Sequence, residues 1–436
     1  MVYSRNNVCY DCLGKTNERA FIKNMEHLLL YIDPGTGSML FTIIIGLVGV
    51  GVFFLRSLAM KLKFIFTGGR KTGKDPSQTE IAVFSDNKRY WKIFEPVFDE
   101  LEKRGQSALY LTASPDDPGL SKEYDHIKCT FIGEGNRAFA RLNFIKADIV
   151  LSTTPGLDVY QWKRSKNAKY YVHLPHAASD LTIYRMFGID FYDAILLSGQ
   201  YQADQIRALE KVRGIPEKEL KLVGIPYMDE MKKRRDEALK NVEKTEKKTV
   251  LLAPSWGTSS ILNRFGADFI RKLRDTGYKI IVRPHPQSFI TEKEMLEPLM
   301  EEFSDLEWNS DNDNFDVLMR SDILISDFSG VIFDYTLVYD KPVIYTDTEF
   351  DKAPYDASWL DDELWTFEVL PKLGKKLTAD NMDSLKGMID ELTESDAYAQ
   401  GREEARKQTW EHRGEGAVRV ADYLIAKLKE LEEKKS

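Results

Sequence analysis

A chain of 436 residues, 43% hydrophobic and 30% charged, has the balance of a globular protein and is too long for one ordinary core, so about two domains and some extra segments are expected. A formal net charge of −8 and a pI near 5.5 argue against a general nucleic-acid binder, which needs a basic surface to neutralise phosphates. Three cysteines rule out a disulfide scaffold, and Cys9 and Cys12 have no neighbouring third or fourth ligand with which to hold zinc.

Residues 1–36 read as an N-terminal tail, within which Met25 is an alternative start. From Pro34 to Leu55 no charged residue occurs, and Met39 to Leu55 is almost wholly apolar. That run has the length of a bilayer-crossing helix, assigned here to residues 37–56. It is long for a signal-peptide core and is followed by bases, not by a cleavage site. Arg56, Lys61, Lys63, Arg70, Lys71 and Lys74 crowd its C-terminal side, so the larger part is expected in the cytoplasm, held at the cell membrane by a single pass. Residues 57–77 then form a basic linker. Gly68 to Lys74 has the spacing of a phosphate loop, yet Asp75 stands where a magnesium-holding Ser or Thr belongs and Pro76 interrupts the helix that should follow.

Beyond Ser77, short apolar runs alternate with amphipathic stretches. Strands are predicted at Ile81–Phe84, Ala108–Leu111, Cys129–Ile132, Asp148–Leu151, Tyr170–His173 and Ala194–Leu197. A charged stretch from Asp229 to Lys248 precedes a second series: Thr249–Ala253, Lys279–Val282, Ile323–Ile325 and Pro342–Tyr345, with helices from about Gly266, near Lys293–Glu302, from about Gly330 and at Val418–Glu432. The alternation predicts an α/β fold of two Rossmann-like halves, residues 78–240 and 245–436, with a cleft between them. The last helix is expected to pack back across both halves. No Gly-x-Gly-x-x-Gly follows a first strand, which argues against a dinucleotide oxidoreductase.

Chemistry is expected just beyond strand ends. Ser326-Asp-Phe-Ser-Gly-Val-Ile-Phe-Asp334 leads from a strand into a helix, so Ser329 and Gly330 would offer free backbone N–H groups to a diphosphate, with Ser326 and Asp327 beside them. Capping of the helix by Ser329 or Asp327 is the plainer reading of the same residues. Arg283-Pro-His285-Pro presents a guanidinium and an imidazole from a stiff turn, both suited to phosphate oxygens. His173-Leu-Pro-His176 ends a strand of the first half. His176, in the loop, is the expected general base, His173 an orienting group, and Asp180 or Arg185 a support. Ser255, in Pro254-Ser-Trp-Gly-Thr258, is expected near a nucleotide base or phosphate, although a turn around a buried Trp explains that segment equally well. Asp311-Asn-Asp313 reads as ordinary turn chemistry, and no metal or cofactor is expected.

Arg-Pro-His-Pro at 283–286, the 326–334 segment with Asp334 and the following Tyr, and Lys341-Pro-Val-Ile-Tyr345 together resemble the CDP-glycerol glycerophosphotransferase family of wall teichoic acid synthesis, over roughly residues 80–430. Around His176 that family's Trp-His-Gly-Thr-Pro type of loop is replaced by Leu-Pro-His-Ala-Ala. The resemblance implies a GT-B fold without a metal. It also implies a CDP-polyol donor held in the C-terminal half by Arg283, His285, Ser329 and Gly330, and His176 as base on the hydroxyl of a lipid-linked or glycolipid acceptor. Attack on the β-phosphorus of CDP-glycerol or CDP-ribitol would release CMP. The alternatives are a glycosyltransferase using a UDP-sugar, a non-catalytic membrane scaffold and, third, a nucleotide-sugar epimerase.

Overall fold

Strand β1 (Thr79–Ser85) buries Ile81 and Val83 on one face and Ala82 and Phe84 on the other, as a central strand of a sheet covered on both sides must. The computed structural model describes residues 79–241, 247–348 and 350–434; the tail, membrane helix and basic linker expected from the sequence lie outside them. Among the described residues no helix is long and apolar enough to cross a membrane.

Around β1 a seven-stranded sheet forms from β2 (Ala108–Thr112), β3 (Ile127–Phe131), β4 (Ala147–Ser152), β5 (Ala168–His173), β6 (Ala194–Leu197) and β7 (Glu219–Leu222), in the order β3-β2-β1-β4-β5-β6-β7, all parallel. A second parallel sheet, β10-β9-β8-β11-β12-β13, comprises β8 (Thr249–Leu252), β9 (Lys279–Val282), β10 (Glu307–Trp308), β11 (Ile323–Ser326), β12 (Val343–Thr346) and β13 (Gly374–Leu377). In each sheet the chain order reverses beside the first strand, at β1/β4 and at β8/β11. Such switch points open a crevice at the carboxyl ends of the strands.

Three strands escaped the sequence reading: β7 (Glu-Leu-Lys-Leu), β10 (Glu-Trp) and β13 (Gly-Lys-Lys-Leu). All three are sheet edges, where one flank is unpaired and charged side chains replace the apolar run. The helix expected from Gly266 begins earlier, at Ile261, capped by the Ser260 side chain accepting from the Asn263 N–H; Gly266 breaks it with φ 53° and ψ −144°.

Three apolar clusters hold the fold. One lies on the outer face of each sheet. The third runs from Ile81, Val83 and Val172 through Tyr227 and Met231 to Leu251, Leu324 and Phe333, so the inner faces of both sheets share one core. The helix Pro226–Ala238, which runs into the charged stretch expected to separate the halves, buries Tyr227, Met228 and Met231 in it. The final helix, Gly416–Glu433, makes its main contacts with the helix Trp91–Lys103, β4 and Pro226–Ala238, which are first-half elements. On its way back the chain passes so close to the first sheet that a β-carbon on Gly199 would lie 1.8 Å from the Gln408 carbonyl oxygen; only glycine fits there.

Candidate active site

His173 is the last residue of β5 and is fully buried; His176 follows in the loop, partly open to water. The Tyr184 hydroxyl lies 3.2 Å from His173 Nε2 and 3.4 Å from His176 Nδ1. Tyr90, just past β1, places its ring 5.0 Å from that of His176. Burial pushes the His173 imidazole down to about 3, with the His176 charge adding to the effect. Burial likewise pushes His176 down to about 4, opposed by the Thr153 carbonyl and helped by the cations of Arg89 and Lys92. Both rings are therefore neutral at pH 7, and a neutral ring can accept a proton.

From the second sheet, His285 enters the same neighbourhood. Burial pushes it down to about 4; Arg89 and His176 push the same way and Glu292 opposes them. Arg89 thus acts on histidines of both halves, and the two halves bring His176 and His285 within each other's field. His285 Nδ1 accepts from the Gln287 backbone N–H at 3.1 Å, so a neutral ring carries its proton on Nε2 and can donate from there. Trp256, 38% exposed, lies 6.4 Å from the His285 ring, centre to centre. It is an open aromatic face at the end of β8, where the sequence allowed a buried turn residue.

Gly330 caps the helical stretch that starts at Val331, and its α-carbon faces the first half: a β-carbon there would lie 3.5 Å from that of Ala177. Ser329 is partly exposed. The first amides of such a stretch have no preceding turn to donate to. Gly330 thus lies beside the loop that carries His176, and His285 lies close enough for the His176 charge to act on it.

Other expected site residues are used elsewhere. The Ser326 hydroxyl donates to the Ala253 carbonyl at 2.6 Å and is fully buried, so it joins β11 to β8 and is closed to a donor. Asp327, also fully buried, accepts from the backbone N–H groups of Ser255 (3.0 Å to each oxygen), Ile261 (3.1 Å) and Phe328 (2.7 Å). It anchors the 255–261 loop, and Ser255 belongs to that anchor. Asp180 does not support His176: it accepts from the N–H groups of Trp365 and Thr366, both at 2.8 Å, from the Thr366 hydroxyl and from Gln205, clamping the two halves. Arg185 is exposed and its backbone pairs with Tyr355 in an antiparallel bridge between the halves. Asp334 accepts from Tyr227 Oη at 2.9 Å across the shared core, and burial raises its carboxyl. Arg283 donates to the Asn309 side chain and, at 2.7 Å, to the Asp311 carbonyl, so these N–H groups bind a protein loop.

The sequence reading missed Arg89, Tyr90, Lys92 and Tyr184. Arg89 and Tyr90 follow the first strand at its switch point, a position that could have marked them. Tyr184 carried no signal of its own. Among the described residues no group of three His, Cys, Asp or Glu side chains is placed to hold a metal ion.

A family model described as CDP-glycerol:poly(glycerophosphate) glycerophosphotransferase matches residues 188–424. The teichoic acid glycerol-phosphate transferase of Staphylococcus aureus (strain NCTC 8325 / PS 47) is 27% identical over 198 residues, 42% of this chain and 47% of that protein, so the match spans about half the relative's length. Among solved structures, the wall teichoic acid polymerase TagF aligns with a TM-score of 0.54 at 17% identity, covering 86% of this chain and 98% of the other. UDP-N-acetylglucosamine 2-epimerase from Rickettsia bellii aligns with a TM-score of 0.52 at 11% identity, covering 81% and 98%. These likenesses establish a GT-B-like fold.

Proposed function

Because the chain belongs to the CDP-glycerol:poly(glycerophosphate) glycerophosphotransferase family, we propose that it transfers a glycerol-phosphate or ribitol-phosphate unit from a CDP-linked donor to a hydroxyl of a membrane- or lipid-linked cell-envelope acceptor. The observation that carries this reading is the close approach of Gly330 of the second half to Ala177, next to His176 in the first, with His285 near enough for the His176 charge to act on it. In the proposed step the acceptor oxygen bonds to the β-phosphorus, the bond from that phosphorus to the bridging oxygen breaks, and CMP leaves. The acceptor proton passes to neutral His176. His285 Nε2–H and the amides of Ser329 and Gly330 face the phosphate charge, and Arg89 adds a cation from the first half. Trp256 offers a ring for the cytosine to stack on. Arg283 is proposed to act by holding the 309–311 loop at the donor side.

The first half would hold the acceptor and the second the nucleotide. A membrane helix at 37–56 with the catalytic part in the cytoplasm would keep the cleft beside a lipid-linked acceptor, and protease protection in oriented vesicles checks that orientation.

The test supplies the full chain with CDP-glycerol, CDP-ribitol or a UDP-sugar and membranes carrying acceptor. CMP release with a CDP-polyol, reduced roughly a hundredfold or more in His176→Ala, is expected. UDP release would instead establish the glycosyltransferase reading, which the same cleft would also suit. An envelope phenotype indifferent to both His176→Ala and His285→Ala would point to a scaffold.

A further inference from the structure

β1 ends at Ser85, and the next residue, Asp86, lies at the switch point of the first sheet, where β4 runs beside β1. Its side chain is held by a fixed frame. The Thr154 hydroxyl donates to Asp86 Oδ1 at 2.9 Å, the Thr154 N–H donates to Ser152 Oγ at 3.0 Å, and the Ser152 hydroxyl donates to the Phe84 carbonyl at 3.0 Å. Tyr192 Oη donates in turn to the Thr154 carbonyl. Asp327 and Asp180, which follow β11 and β5, are buried and consumed by protein donors. Asp86 is exposed. Among the described residues its hydrogen-bond donors are the Thr154 hydroxyl and its own backbone N–H, and no Lys or Arg forms an ion pair with it. A carboxylate accepts about four hydrogen bonds, so Asp86 keeps capacity for the donors of a ligand.

Two links tie Asp86 to His176. β5, which leads to His176, is the neighbour of β4, and the Thr153 carbonyl, one residue before Thr154, acts on the His176 ring. Tyr90 makes the second link. Its ring lies 5.0 Å from that of His176, and burial pushes its phenol up to about 12, with the Asp86 charge adding to the effect and the Arg89 charge opposing it. A carboxylate accepts hydrogen bonds and repels phosphate. In an acceptor built of hydroxyls and phosphates, what it can hold is therefore a hydroxyl. Arg89, three residues on, is the group suited to a phosphate.

We propose that Asp86 is a specificity-determining residue that accepts a hydrogen bond from a second hydroxyl of the acceptor, next to the hydroxyl whose proton passes to His176. The acceptor end that fits is a polyol with at least two neighbouring hydroxyls, its phosphate turned toward Arg89. This rests on the reading of the chain as a transferase to a hydroxyl with His176 as base. It adds what the first half selects: an alcohol with one hydroxyl leaves Asp86 without its partner and binds more weakly.

The test titrates the full chain, with no nucleotide present, with α-glycerophosphate, which carries two neighbouring hydroxyls, and with its analogue lacking the central hydroxyl, and follows binding by NMR. The wild type should bind the analogue roughly ten- to a hundredfold more weakly. In Asp86→Ala the two should bind within about twofold of each other, at the weaker level. Equal binding of the two by the wild type overturns the proposal with no variant needed. A folded Asp86→Ala that discriminates as the wild type does also overturns it. Should UDP-sugars and not CDP-polyols be turned over while the discrimination depends on Asp86, the donor reading fails and the assignment of Asp86 stands. Normal CMP release from a CDP-polyol, with the discrimination intact in Asp86→Ala, leaves the donor reading standing and removes Asp86 from the acceptor site.

Discussion

Gly330 and Ala177 meet face to face across the opening between the two halves: a β-carbon on Gly330 would lie 3.5 Å from the Ala177 β-carbon, an ordinary contact distance. Gly330 has φ −56°, which any residue adopts, so space and not backbone conformation favours glycine there. Gly330→Ala is expected to keep CMP release within a few-fold. Gly330→Leu should push against the 176–177 loop and lower kcat/KM by roughly a hundredfold, because small displacements of reacting groups are costly. Melting temperatures measured alongside separate this from unfolding.

Arg89 acts on His176 and His285 alike. Replacing it with Ala removes a cation that depresses both, so both histidines should titrate at higher pH, as followed by NMR. Turnover of the CDP-polyol should drop roughly ten- to a hundredfold, and Lys should restore part of it, since a point charge replaces the fork only in part. Normal turnover in Arg89→Ala would remove Arg89 from the site.

Asp180 satisfies four donors from three residues, two of them in the helix Trp365–Leu373 of the other half. Asp180→Ala strands those buried donors and should cost about 3–5 kcal/mol of stability by denaturant unfolding. Activity of the fraction that stays folded should persist, which a catalytic support of His176 would not allow.

His173, His176 and His285 have folded-state values of about 3, 4 and 4, below the ordinary 6.5, because burial disfavours their charged forms. Between those values and 6.5 the unfolded chain binds more protons, so the contribution of these groups favours folding above pH 6.5 and is lost as the pH falls toward 4. The melting temperature should decline over that window, and His173→Gln should flatten the decline. A decline as steep in His173→Gln as in the wild type would show that His173 has no part in it.

The Ser326 hydroxyl and the Asp327 carboxylate lie at the end of β11, where a reader of the sequence expects ligand contacts, yet both are consumed by backbone groups of the neighbouring loop. Ser326→Ala should thus lower stability by about 1 kcal/mol and leave the donor KM unchanged, as denaturation and kinetics on one sample would show.

Strands buried on both faces are written as continuous apolar runs, so the two parallel sheets, their order of appearance and the strand-end placement of His176, His285, Ser329 and Gly330 were legible in the chain. Edge strands such as β7 and β13 were not, because half-exposed positions tolerate charge. Nor could the chain alone sort the polar residues at strand ends into clamps and ligands. A buried polar group must find a partner, and which partner arrives depends on contacts far apart in sequence: Asp180 with Thr366, Tyr227 with Asp334, Arg185 with Tyr355. Local periodicity reports whether a segment is covered, and so specifies the layers. The identity of the covering group, and with it the roles of Arg89 and Tyr184, arises only when the two halves close on a shared core.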